Sequence, residues 1–539
     1  MILWLLNVFI SVNVTKSRSF GKKKVKSSQT ENQLTNEMKV ESDTQSKFSP
    51  VKFSVRAKTR LYECSKMEPE FCREHLYRIP SLLITEDNSI LAFASKRKKN
   101  LTGRDIIRDW NHETDNVVRR SIDKGYSFSE DIVIASFPCV DIHRGPVLYD
   151  RANDTVYSFM RYSPAVKQMF GVAPHTYSES KSIKEMREDK IYRDAKCDPA
   201  KRGNPGSKGE NVSMGDYVSF SKDQGQNWST PIPINLPYPE GATGAGFANG
   251  SHGIQLSNGR FVIQARYKFN GEQHRTLFYS DKKSKLHKGK NWVRGAIIVP
   301  NKVKVGNKKK PLNMSKQEFT IAESPQNVVL ANFRTGEKSG KGRVQARIEN
   351  ATKVIQDPHH VEALRAPNVH GALLRKSDQF DDYLFSIVAS KFDRNDVSES
   401  KAESRKGLIL YRSNDGDTWS QKSIIHKQER PTGYSDMDLF NGGSQKHIGL
   451  LFEAGKVCDK NDTQCWEEYD ACKEEDCDKF SDINYRFMYF KRLRLKKFKS
   501  SKNSNNSKEA KKSKDSKKSK KSKKSKQSKK SKKSKKSKN

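Results

Sequence analysis

The chain has 539 residues, 34% of them hydrophobic, and a formal net charge of +40. That length can bury a large core without staples, and no run is both long and apolar enough for a transmembrane helix. Residues 501–539 hold 19 lysines against Glu509 and Asp515, so the body is only moderately basic, a balance that does not by itself name nucleic acid as a partner.

In chain order, residues 1–20 open on the apolar run Met1-Ile-Leu-Trp-Leu-Leu-Asn-Val-Phe-Ile10. It has signal-peptide length and is too short to span a bilayer, although it lacks a basic n-region and an obvious small-residue cleavage site. Entry into the secretory pathway is expected, with the product secreted, lysosomal or bound at the cell surface. Residues 21–60 are polar, Lys- and Ser-rich, and read as a disordered leader. Residues 61–500 read as one repetitive β-rich unit. Short β-rich runs such as Ile90-Leu-Ala-Phe-Ala94, Val156-Tyr-Ser-Phe-Met160, Arg260-Phe-Val-Ile263, Tyr383-Leu-Phe-Ser-Ile-Val388 and His447-Ile-Gly-Leu-Leu-Phe452 are punctuated by turns. Many strands and hardly any helical periodicity predict an all-β repeat architecture. Polar stretches near 163–215 and 392–405 read as surface insertions.

Two segments repeat the pattern Ser-x-Asp-x-Gly-x-x-aromatic: Ser121 to Phe128 and Ser221 to Trp228. Each is expected at a hairpin turn, with Ser and Asp satisfying turn amides, Gly taking positive φ and the aromatic packing inward. A third, Ser413-Asn-Asp415-Gly416-Asp-Thr-Trp419, is one residue short, and Gly289-Lys-Asn-Trp292 is a decayed fourth. The eight cysteines, Cys64, Cys72, Cys139, Cys197, Cys458, Cys465, Cys472 and Cys477, suggest disulfides of undetermined pairing. Zinc is the weaker reading, since no Cys-x-x-Cys pair is present. Asn-x-Ser/Thr sequons, eight of them between Asn100 and Asn461, permit glycosylation.

Tyr77-Arg78-Ile79-Pro80 precedes these repeats. The aliphatic stem of Arg78 lies among apolar neighbours and the proline fixes the backbone after it, which presents a guanidinium to an anion. Tyr-Arg-Ile-Pro before a series of Asp-boxes resembles the sialidase (neuraminidase) superfamily. The resemblance implies a six-bladed β-propeller of four-stranded antiparallel blades, with site residues from separate blades converging at the central axis. It also implies a retaining exo-α-sialidase acting on glycoproteins, glycolipids or oligosaccharides, with no cofactor or metal. Sialic acid carries a carboxylate on the reacting carbon, which would repel a carboxylate nucleophile, so this family uses tyrosine. Arginines suit the substrate carboxylate because their planar fork pairs with it bidentately.

Carried over residue by residue, Arg78 matches the first arginine of the family's triad. Glu318 and Arg334, 16 residues apart, match its Glu and Asn-x-Arg segment, and that spacing favours Glu318 over Glu323 as the tyrosine's base. Arg405, ahead of a strand ending in an Asp-box, matches the third arginine, with Arg412 read as an ordinary strand residue. Pro431-Thr-Gly433-Tyr434-Ser435 looks like the nucleophile loop, with Tyr434 as nucleophile, and Glu453 matches the glutamate that orients the first arginine. Counting back from the first Asp-box lands on Asp109 as acid/base, with Asp105 and Asp115 as competitors. A further arginine of that loop is Arg97 or Arg104.

The rival readings are a catalytically inactive, lectin-like propeller that binds sialic acid, and a trans-sialidase. The Lys/Ser repeats of the tail are expected to be extended and to tether the chain to polyanions or an anionic membrane surface.

Overall fold

The computed structural model describes residues 53–63, 75–98, 113–137, 140–164, 215–248, 250–282, 285–299, 302–305, 308–311, 314–335, 342–376, 382–389, 405–441, 447–455 and 487–495. All eight cysteines, most of both insertions, the apolar N-terminus and the lysine tail lie outside them. Among the described residues no helix is long and apolar enough to cross a membrane.

The chain is all-β. Strand β1 (Phe53–Glu63) begins inside the stretch expected to be leader. Its composition is polar, but Ala57 and Leu61 are buried and its backbone groups find partners on the last strand, a tertiary pairing that composition does not show. There follow β2 (His75–Ile84), β3 (Ile90–Lys98), β4 (Thr114–Ser121), β5 (Ile132–Ala135), β6 (Val140–Asp150), β7 (Thr155–Pro164), β8 (Gly215–Ser221) and β9 (Ile232–Pro233). These eight form one sheet. A second sheet of five holds β10 (Thr243–Phe247), β11 (Ile254–Gln255), β12 (Phe261–Phe269), β13 (Glu272–Ser280) and β14 (Val293–Ile298). A two-stranded hairpin, β15 (Lys302–Val305) with β16 (Lys308–Pro311), leads to a sheet of four: β17 (Met314–Ser324), β18 (Val328–Thr335), β19 (Arg343–Glu349) and β20 (Lys353–Val361). The last sheet has seven strands in the order β1-β26-β25-β24-β23-β22-β21, from β21 (Ala372–Lys376), β22 (Asp382–Ala389), β23 (Lys406–Ser413), β24 (Trp419–Leu439), β25 (His447–Ala454), β26 (Phe487–Leu495) and β1.

The result is a β-propeller arrangement carried by four antiparallel sheets, not by six separate ones. The difference has two local causes. A single parallel pair, Thr114 with Asp141, joins β4 to β6 across what would otherwise be a gap. The 21 residues of β24 pair with β23 over their first part and with β25 over their second, so one strand belongs to two neighbouring units.

Apolar clusters fill the space between successive sheets and between the joined halves. Phe93, Val118, Val147 and Met160 pack in one, and Phe319, Val329, Val344 and Leu277 in another, all fully or nearly fully buried. Each such side chain contributes roughly 1.5–3 kcal/mol by leaving water.

The Asp-boxes close hairpins as their chemistry requires. Asp123 accepts from the Tyr126 and Ser127 amides at 2.9 and 3.0 Å, and Ser121 Oγ accepts from Gly125 N at 2.9 Å. Although burial acts the other way, hydrogen bonds from the Ser127 hydroxyl and amide, the Ser121 hydroxyl and the Tyr126 amide push the Asp123 carboxyl down to about 2. Gly125 sits at φ 87°, and a Cβ there would stand 2.1 Å from the Phe490 ring, so glycine is required twice over. The second and third boxes repeat the Ser–Gly bond at 2.8 and 2.9 Å.

Candidate active site

The site forms at the end of the inner strands where β2 and β17 begin. The β2–β3 ladder slips between Arg78 and Ser81, so Ile79 and Pro80 bulge from it. Arg78 itself is fully buried and donates through Nε to Glu453 Oε1 at 2.8 Å. Glu453, on β25, is equally buried. The same oxygen accepts from Ile79 N at 2.8 Å, and its other oxygen accepts from the Tyr434 amide at 2.9 Å. One carboxylate thus satisfies an arginine and two backbone donors from different strands, which is how a buried charge is tolerated.

Tyr434 lies on β24 with 3% exposure. Its hydroxyl donates to Glu318 Oε1 at 2.5 Å and accepts from Arg334 Nη1 at 2.7 Å. Arg334 Nη1 also lies 2.6 Å from Glu318 Oε2. Glu318 on β17 and Arg334 on β18 face each other because the antiparallel register sets Phe319 opposite Phe333. Arg405, just before β23, donates to the Asn368 carbonyl at 2.8 Å. The guanidinium carbons of Arg78, Arg334 and Arg405 stand 5.8, 5.9 and 5.8 Å from the centre of the Tyr434 ring. Three cations therefore surround a phenol that is hydrogen-bonded to a carboxylate. Such a set can hold an anion and take a proton from the phenol.

Four residues of this region were not singled out from the sequence. Asn368 accepts from Arg334 Nε through its side chain and from Arg405 through its carbonyl, coupling two of the cations. Arg343 is buried behind them, donating to Asn332 Oδ1 at 2.5 Å and to the Val369 carbonyl at 2.7 Å. Burial first, and then the charge of Arg334, push its guanidinium down to about 9. His370, fully buried with its ring 5.6 Å from that of Tyr434, is pushed by the same burial and by Arg343 down to about 3, so it is neutral. Arg144, on β6, donates to the Ile79 carbonyl. None of the four lies in a motif; only Arg144 carries a signal, since Arg144-Gly-Pro146 echoes Arg78-Ile-Pro80.

The other expectations fall as follows. Arg97 is buried on β3, in register with Leu76 and Thr114, and Asp115 is buried on β4 opposite Lys96. Arg104, Asp105 and Asp109 lie outside the described residues. Glu323 sits five residues beyond Glu318 on β17, accepting from Ser257 N and Oγ at 2.6 and 2.9 Å, which ties it to a neighbouring loop. Arg412 is a ladder residue of β23 facing Leu384 and Gln421.

Beyond the site, along the same strands, His252 Nδ1 pairs with both oxygens of Asp436 at 3.0 Å. Further on, a cavity of about 510 Å³ opens at the strands' other end, bordered by Ile84, Tyr149, Ile254, Glu323, Leu374 and Asp438. Among the described residues no group of His, Cys, Asp and Glu is arranged to hold a metal.

Residues 204–448, a little under half of the chain, match a family model described as a BNR repeat-like domain. No curated protein matches. Among solved structures, a Hadza microbial sialidase is similar with a TM-score of 0.52 and 18% identity, over 78% of this chain and 66% of that one. A protein of unknown function from Dyadobacter fermentans is similar with a TM-score of 0.51 and 13% identity, over 82% of this chain and 99% of that one. The NanB sialidase of Streptococcus pneumoniae is similar with a TM-score of 0.50 and 14% identity, over 77% of this chain and 69% of that one. The chain has the fold of the sialidase superfamily.

Proposed function

We propose that the protein is an exo-α-sialidase that releases terminal sialic acid from glycans with retention of configuration. The observation that carries this reading is the Tyr434 hydroxyl, 2.5 Å from Glu318 and ringed by three guanidiniums. Arg78, Arg334 and Arg405 would clamp the substrate carboxylate. Glu318 would take the phenolic proton as the Tyr434 oxygen attacks the anomeric carbon. The bond to the leaving oxygen breaks as Asp109 gives that oxygen a proton, leaving a tyrosyl glycoside. Asp109 would then take a proton from water as its oxygen displaces Tyr434, and the departing phenolate would take back the proton held by Glu318, regenerating the phenol and the carboxylate. Arg97 or Arg104 would extend the contacts to the sugar.

On the same reading, the eight- and seven-stranded sheets are each two four-stranded blades fused at the Thr114–Asp141 pair and along β24, which makes six blades. The cavity at the far end supports this, since β2, β6, β11, β17, β21 and β24 each contribute to its wall. A signal-like N-terminus would send the enzyme along the secretory pathway, and the lysine tail would hold it near acidic surfaces.

The test is turnover of a fluorogenic aryl sialoside by the full chain, with the anomer first released identified by NMR. Release of the α-anomer is expected. Binding without release would leave a lectin, and release of the β-anomer would exclude the tyrosyl intermediate.

A further inference from the structure

Ile79 has φ of 59°, a left-handed conformation that a β-branched side chain disfavours. It lies between Arg78 and Pro80 in the bulge of β2, where the ladder leaves its peptide groups out. Both are held instead by buried ionic side chains. The N–H donates to Glu453 Oε1 at 2.8 Å, and the carbonyl accepts from Arg144 Nη2.

Arg144 stands in β6 at a matching slip, between Arg144 and Val147, so that two Arg-x-Pro bulges lie on neighbouring inner strands. It is 2% exposed, and burial pushes its guanidinium down to about 10 even though the charges of Asp436, Tyr62 and Glu453 act the other way. A cation kept in so dry a place is costly unless it holds something. What it holds is the strained peptide next to Arg78. The Ile79 side chain explains why glycine does not stand there: it packs against the cluster that includes Tyr434, and lies within 3.3 Å of where a Cβ on Gly250 would be.

We propose that Arg144 is a positioning residue which, by gripping the Ile79 carbonyl while Glu453 grips the N–H, locks the bulge that aims Arg78 at the bound anion. Arg144 thus acts through Arg78. The identity of the anion as a sialic acid carboxylate rests on the functional reading above; the locking does not.

The experiment pairs crystallography with kinetics on Arg144→Met, Arg144→Lys, Ile79→Gly and the double variant Arg144→Met/Ile79→Gly. In the Arg144→Met structure, Ile79 relaxes to negative φ and the Arg78 guanidinium leaves the Tyr434 ring. KM for an aryl sialoside rises about tenfold while kcat changes less than about twofold, the split expected when a binding group is misaimed. In the Ile79→Gly background, where left-handed backbone is free, Arg144→Met raises KM less than about threefold. Arg144→Lys, still able to donate to the carbonyl, stays within about threefold of the unmodified protein and gives a folded comparison if Arg144→Met does not accumulate. Ile79 retained at positive φ with Arg78 in place, an equal rise of KM in both backgrounds, or a Lys variant as impaired as Met would each overturn the proposal. If the unmodified protein turns over no sialoside, the functional reading falls and the crystal structures alone decide the role of Arg144.

Discussion

Arg78 Nε lies 2.8 Å from Glu453 Oε1 with both side chains wholly removed from solvent. Removing the charge of one partner strands the other in a dry interior, which costs about 3–5 kcal/mol. Glu453→Gln is expected to lower the unfolding free energy by about that amount and to raise KM for a sialoside together, because the same carboxylate also holds the Tyr434 amide. Denaturant melts and steady-state kinetics on one preparation check both. A variant with unchanged stability would mean that the pair is not closed in solution.

Tyr434→Phe deletes one oxygen and no packing. Turnover should fall by about three orders of magnitude or more while free sialic acid binds within about threefold of the unmodified affinity. Calorimetric titration of sialic acid beside a turnover assay separates the two; activity near the original level would remove Tyr434 as nucleophile.

The Arg334 guanidinium reaches Asn368, Glu318 and Tyr434 at once through a planar fork. A lysine keeps the charge and loses the fork. Arg334→Lys should therefore raise KM about tenfold or more for a substrate bearing a carboxylate. The same comparison with an analogue whose carboxylate is reduced to an alcohol should show little difference between the two proteins.

For the acid/base, leaving-group dependence is the measurement. Asp109→Ala should slow natural sialosides by about a hundredfold or more and activated aryl sialosides far less, since an aryloxide departs with little protonation. Were Asp105→Ala or Asp115→Ala to show that contrast instead, the assignment would move to that carboxylate.

His252 offers a pH test. Burial alone would lower its pKa, but the charge of Asp436, the hydrogen bond to it and the charge of Asp438 together raise it from 6.5 to about 9. A folded-state value above the unfolded one means that the pair's contribution is complete below about pH 6.5 and is lost as pH rises through about 9. The amount at stake is on the order of 3 kcal/mol. The unmodified protein should lose Tm relative to His252→Gln between pH 6 and 10; parallel profiles would show that the pair does not titrate there.

The residues legible in the sequence were those that the resemblance to the sialidase superfamily marks in a short pattern. Arg78 stands in Tyr-Arg-Ile-Pro ahead of the Asp-boxes, and Glu318 and Arg334 keep the family's spacing of 16. Tyr434 stands in a segment like the family's nucleophile loop, and Glu453 ends an apolar strand as the family's glutamate does. Asn368, His370 and Arg343 were not visible, because their neighbours come from other strands and nothing in their own segments requires a polar group. The strand count per sheet was hidden for a similar reason. Whether β24 breaks or bends between two units depends on its partners, and the alternation of its side chains reads the same in either case. β1 was mistaken for leader because its polar composition says nothing of β26.

Phe53 pairs with Leu495, and the register continues to Glu63 with Phe487, so the sheet that carries Tyr434 and Glu453 takes its outer strand from the other end of the chain. That arrangement has a consequence in time. While the chain is being made, β1 waits without a partner until more than four hundred further residues have been added, and closure over such a separation is slow. The earlier sheets can collapse as they emerge, but the sheet holding the phenol is completed only when β26 leaves the ribosome. On the proposed function, a nascent chain gains a complete Tyr434 sheet only once β26 has joined β1, and any factor that shields β1 in the interval sets the yield of folded protein.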